Sequence, residues 1–139
     1  MKTLSFDLDG TLVDSPLCFK SIRNELGIPE SEYILEFLEK LPLHERSQKM
    51  RRLEEIEVDA AKQATPFPGV LRLLDDLKTR GVNVGIFTRN CRSATDHVIR
   101  THEFDIDMTV TRDDAPPKPD PAGIEKFIAS WKVGRSELL

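Results

Sequence analysis

Residues 3–14 read Thr3-Leu4-Ser5-Phe6-Asp7-Leu8-Asp9-Gly10-Thr11-Leu12-Val13-Asp14. Residues 3–8 form a short, apolar-rich run that ends in acid, which predicts a β-strand. Gly10 and Thr11 follow as a turn requires. Just past a strand end, acids at i and i+2 can bring both carboxylates near one pocket. A glycine there lets the chain turn sharply and leaves backbone N–H groups free to meet a phosphate. Ligands of open parallel sheets bind at the C-terminal ends of strands. Asp7 and Asp9 therefore stand where chemistry is expected.

Working outward, residues 16–26 predict a helix with Phe19, Ile22 and Leu26 on one face, Pro16 in its first turn and Gly27 as its stop. Residues 31–41 predict a second, capped by Ser31 and striped by Ile34, Phe37, Leu38 and Leu41. A third runs over 43–64, where Met50, Leu53, Ile56, Ala60 and Ala64 recur at three- and four-residue spacing. Within it, Lys49, Arg51 and Arg52 are followed at once by Glu54, Glu55 and Glu57, the pattern of a solvent-facing helix rather than a binding surface. Pro66-Phe67-Pro68-Gly69 then breaks the helix. Residues 70–80 predict another, with Val70, Leu73, Leu74 and Leu77 inward and Gly81 as its stop. Residues 82–87 predict a buried strand that ends at Thr88, 92–102 a helix, 106–111 a strand, and 121–131 a helix entered through the Pro-rich loop 114–121. This alternation implies a parallel sheet with helical crossovers, to which the first strand also belongs. Residues 14–66 are then an all-helical insertion between the first strand and the rest.

At 139 residues the chain is one ordinary domain, or a small core carrying an insertion. Charged residues make up 32%, the net charge is −4, and no long block has one sign, so nothing electrostatic points to nucleic acid. No apolar run approaches the ~20 residues that span a bilayer. Asp7 and Asp9 fall where a secretory signal needs its apolar region. Cys18 and Cys91 are too few and too far apart for a disulfide framework or a zinc site, and His44, His97 and His102 show no ligand spacing. The expectation is a cytoplasmic protein without a membrane or nucleic-acid partner.

The run from Phe6 to Asp14 is similar to the first motif of the haloacid dehalogenase superfamily. Thr88 after an apolar strand resembles its second motif, and Lys118 within Lys118-Pro119-Asp120-Pro121 its third, in family order. The resemblance covers essentially the whole chain and is strongest to the branch whose helical cap follows the first motif, such as phosphoglycolate phosphatases and related sugar-phosphate enzymes. It implies an α/β fold: a Rossmann-like parallel core built from residues 1–13 and 67–139, with a small helical cap at 14–66. It implies a phosphatase of a small organic phosphate ester. Asp7 is the nucleophile that forms an aspartyl-phosphate, and Asp9 is the general acid and base. Thr88 would hydrogen-bond a phosphoryl oxygen, and Lys118 would offset charge on the phosphate and on Asp7. Mg²⁺ would be held by the Asp7 carboxylate and the Asp9 backbone carbonyl. Dehalogenating members lack an acid at the position of Asp9 and transport ATPases carry threonine there, so phosphate esters are the expected substrates.

Other roles stay open. Gly10, Thr11, Arg89 and Asn90 are candidates for substrate binding, but Arg89 and Asn90 fit surface capping as well. Thr88 alone fits a helix cap, Lys118 a solvated lysine, and Asp14 either the cap entrance or a helix start. The motifs are shared with phosphomutases acting on sugar phosphates. The family's fourth motif, an acidic segment after a further strand that completes the Mg²⁺ site, has no counterpart after Lys118. The expectation is therefore a core truncated at its C-terminus, or one piece of a longer enzyme. A truncated, non-catalytic binding relative is the rival. The missing strand would leave the first strand with an open edge, through which copies of the chain can associate.

Overall fold

The computed structural model describes residues 2–116 and 120–131. In chain order the elements are β1 (Thr3–Phe6), β2 (Val13–Asp14), α1 (Phe19–Leu26), α2 (Ile34–Glu39), α3 (Leu43–Ala61), β3 (Thr65–Pro66), α4 (Val70–Thr79), β4 (Asn83–Phe87), α5 (Arg92–Thr101), β5 (Met108–Val110) and α6 (Ala122–Trp131). Strands β1, β4 and β5 form a parallel sheet with β4 in the middle. Its register pairs Thr3 with Asn83 and Phe6 with Ile86. Among the described residues, β1 lies at one edge of this sheet.

Alternation along β4 sorts its side chains into two layers. Val84 and Ile86 enter a core with Leu8, Leu12, Leu74, Val98 and Phe104, between the sheet and α4 and α5. Phe87 enters the opposite layer with Val110 and the Phe127 of α6. Two glycines let α6 come close on that side. A Cβ on Gly85 would lie 2.5 Å from the Phe127 ring, and one on Gly123 would lie 2.2 Å from the Phe87 ring.

Residues 14–66 leave and rejoin this core through a two-stranded ladder, with Val13 opposite Pro66 and Asp14 opposite Thr65. The helices between have an apolar cluster of their own: Ile22, Leu26, Ile28, Leu35, Leu38 and Leu53. The end of α3 and the turn after it reach the other cluster through Ala61 and Ala64. Gly27 ends α1 at φ +71°, and the α1 carbonyl of Leu26 accepts a hydrogen bond from Lys49 Nζ at 2.7 Å. Arg52 pairs with Glu25 and Glu55. The basic run of α3 therefore ties α3 to α1.

Several expectations need correction. The first helix begins at Phe19 rather than Pro16, because Ser15 Oγ accepts the Leu17 N–H at 3.2 Å and holds the entry as a turn. Phe19 is 58% exposed and does not join the inward face. Ser31 does not cap α2. It sits in a turn closed by Glu32 N–H to the Pro29 carbonyl, and Tyr33 takes the N-cap position. Leu73 is 44% exposed, so the buried stripe of α4 is narrower than its pattern suggests. Glu57 is not on a solvent-facing surface but only 6% exposed. No helix among the described residues is long and apolar enough to cross a membrane.

Candidate active site

Three parallel strands deliver polar side chains to one end of the sheet. Asp7 comes directly after β1, Thr88 directly after β4, and Arg112 two residues after β5. A cavity of about 430 Å³ opens there. Asp7, Asp9, Thr88 and Asn90 line it from the sheet side, and the helical segment walls it from the other.

The turn after β1 is tighter than its glycine alone required. The Leu8 carbonyl accepts from the N–H groups of Thr11, Leu12 and Val13, and Gly10 N–H donates to the Val13 carbonyl at 2.9 Å. Gly10 adopts φ +78°, which its missing Cβ makes inexpensive. The N–H groups of Gly10 and Thr11 are thus engaged within the turn. This corrects the expectation that they stand free for a phosphate, and neither residue is part of the cavity lining. Leu8 N–H donates to the Asp7 carboxylate at 2.8 Å.

Asn90 organises the second acid. Its side-chain carbonyl accepts the Cys91 N–H at 2.8 Å, which turns the amide nitrogen toward Asp9, and that nitrogen donates to Asp9 Oδ2 at 2.9 Å. Its backbone N–H donates to Thr88 Oγ1 at 3.0 Å. A hydroxyl that accepts one hydrogen bond still carries a hydrogen to donate. Thr88 is 2% exposed, and the N-cap of α5 is Cys91, so Thr88 does not cap that helix. Burial raises the Asp9 carboxyl above its ordinary value; the Asn90 hydrogen bond opposes this and the Asp7 charge adds to it. Burial thus outranks the neighbouring acid as the cause.

Among the described residues, two ion pairs join the helical segment to the strand ends. Arg112 grips Glu57 of α3 with both terminal nitrogens, at 2.8 and 2.6 Å, and also donates to the Arg89 carbonyl at 3.1 Å. Both side chains are under a tenth exposed. Burial pushes the Glu57 carboxyl up against the opposing pull of Arg112. Arg112 Nε is buried without a hydrogen-bond partner among the described residues. The second pair is half exposed: Arg89 reaches Glu36 of α2 at 2.8 Å. Sequence reasoning passed over Arg112 and misread Glu57. The available signal was the spacing of Glu57, four residues from both Leu53 and Ala61, which puts it on the buried stripe of α3.

The other candidates sort simply. Lys118 lies outside the described residues. Cys91 is fully buried, and burial pushes its thiol up to about 12, so it is no nucleophile at neutral pH. His97 meets Thr101 and His102 meets the Ala64 carbonyl, both away from the cavity lining. Among the described residues no three His, Cys, Asp or Glu side chains gather as a metal cage. The Asp7 carboxylate and Asp9 carbonyl are hard oxygen donors, and such a sparse set fits a Mg²⁺ ion that keeps several of its waters.

The family model for haloacid dehalogenase-like hydrolases matches residues 4–139. An uncharacterised hydrolase of Saccharomyces cerevisiae is 31% identical over 146 residues, spanning 100% of this chain and 67% of that protein. A haloacid dehalogenase-like hydrolase of Bacteroides fragilis superposes with a TM-score of 0.76 at 21% identity, covering 99% of this chain and 76% of its own. A predicted phosphoglycolate phosphatase of Haemophilus somnus does so with a TM-score of 0.72 at 18% identity, covering 99% and 74%. At these identities the two structures speak to the α/β fold with its parallel sheet, which this chain shares.

Proposed function

The chain belongs to the haloacid dehalogenase-like hydrolases, and from that premise we propose that it is a Mg²⁺-dependent phosphatase of an organic phosphate monoester, working through an aspartyl-phosphate on Asp7. An Asp7 carboxylate oxygen attacks phosphorus, and the bond from phosphorus to the ester oxygen breaks. Asp9, entering as the carboxylic acid, gives its proton to that departing oxygen. As a carboxylate it then takes a proton from water, whose oxygen attacks phosphorus and frees Asp7 with release of inorganic phosphate. Thr88 donates its hydroxyl hydrogen to a phosphoryl oxygen, and Lys118 offsets the anionic charge. The Asp7 carboxylate and the Asp9 carbonyl would hold Mg²⁺, which would supply charge neutralisation at the phosphoryl oxygens.

One observation carries this reading. Two acids from the end of β1 face one cavity, and burial and the charge of the first raise the proton affinity of the second above its ordinary value. An acid that must release a proton near neutral pH needs that bias. The resemblance in the first motif, which runs through both acids, supports the same assignment. The test is hydrolysis of a simple aryl phosphate by the 139-residue chain with and without Mg²⁺, with Asp7→Asn alongside. The expected outcome is Mg²⁺-dependent turnover that falls by about 10⁴-fold or more in the variant. Undiminished turnover in Asp7→Asn would sink the nucleophile assignment.

A further inference from the structure

The helical wall of the cavity is chemically unlike its floor, and from that contrast we infer that the alcohol portion of the substrate is an apolar ring system rather than a small polyhydroxylated sugar. The inference rests on the phosphate end of the substrate lying at Asp7. The helical segment lines the cavity mainly with Leu17, Phe19, Ile22, Tyr33, Ile34 and Leu53, beside Arg23 and Glu57. Phe19 is 58% and Tyr33 72% exposed. Among the described residues these are the two aromatics in the set of exposed large hydrophobic side chains, and both border this cavity. Exposed aromatic surface gathered at the mouth of a pocket marks a ligand-binding face.

Several polar groups of the wall are already engaged. Glu57 is held by both nitrogens of Arg112, Arg89 is engaged by Glu36, and Arg23 Nε donates to the Glu32 carbonyl at 3.3 Å. A sugar pressed against the aliphatic part of this wall, Leu17, Ile22, Ile34 and Leu53, would bury hydroxyls beside groups that cannot bond them, and each such loss is costly. A planar ring meets no such penalty. It gains contact with the two aromatic side chains and with the flat guanidinium of Arg23. Size agrees: about 430 Å³ falls in the range of roughly 300–1,000 Å³ that accommodates ligands larger than a three-carbon phosphate.

The test separates this inference from the phosphate-site reading by measuring binding instead of turnover. Phenylphosphonate and 2-hydroxyethylphosphonate, neither of which can be hydrolysed as an ester, are titrated with Mg²⁺ into the ¹⁵N-labelled chain, and amide shifts are followed around Asp7 and Thr88. Phenylphosphonate is expected to bind about tenfold tighter or better. The preference should shrink to about twofold or less when Phe19→Ser and Tyr33→Ser are combined. Both side chains lie on the surface, so the double variant keeps the core intact. Equal affinity in the unmodified chain, or a preference that survives the double change, overturns the ring assignment alone. If neither compound shifts the Asp7 and Thr88 amides, the phosphate-site reading fails and takes this inference with it.

Discussion

At the strand ends, polar side chains are placed by a sheet whose register is fixed on both faces. In the helical segment, the side chains that meet the cavity are placed by packing among short helices. The first region holds Asp9 through Asn90 and Asn90 through the Cys91 N–H, a chain of hydrogen bonds that fixes each group in turn. The second offers aliphatic and aromatic surface, with Glu57 and Glu36 held in ion pairs. A rigid floor suits a reaction that needs reacting groups in fixed positions. An apolar wall on a segment with its own core can differ in shape without disturbing that floor. On the proposed reading, chemistry and selection of substrate fall to different halves of the molecule.

The contrast is sharpest where the halves meet. Arg112→Ala would leave Glu57 buried without its cation, and stability should fall by about 3–5 kcal/mol, read from the midpoint of urea unfolding. A fall under about 1 kcal/mol would mean that the helical segment only rests on the core. Within the strand half, Gly123→Ala drives a methyl group into the Phe87 ring. It should cost about 1–3 kcal/mol, with the loss visible in the same unfolding curves. The smallest effect belongs to the outer link. Arg89→Ala removes a pair whose members are both more than a third exposed, and stability should change by no more than about 1 kcal/mol. A cost equal to that of Arg112→Ala would erase the distinction between the buried and the outer contact.

The strand half was the more legible in the sequence. A strand that ends in Asp7 and a buried run that ends at Thr88 state their own C-termini, and parallel pairing follows from the helices between them. The helical half was harder to read. Phe19 fits the apolar stripe of α1, yet as the first residue of the helix it lies at the cavity and not in the cluster of Ile22 and Leu26. Glu57 carries a charge, and charge argued for solvent until its partner, 55 residues on, came into view. Local pattern reports which face is apolar but not what faces it. For the same reason the Asn90–Asp9 contact, made across 81 residues, was beyond reach. The engaged N–H groups of Gly10 and Thr11 depended on a turn geometry that composition does not specify.

The most direct measurement of the central claim is mass spectrometry of the chain mixed with a hydrolysable aryl phosphate and Mg²⁺, then quenched in acid and digested. A phosphoryl group should appear on the peptide containing Asp7 and vanish in Asp7→Asn. Turnover with that peptide unlabelled throughout, or with the label on a different residue, would contradict the assignment of Asp7 as nucleophile.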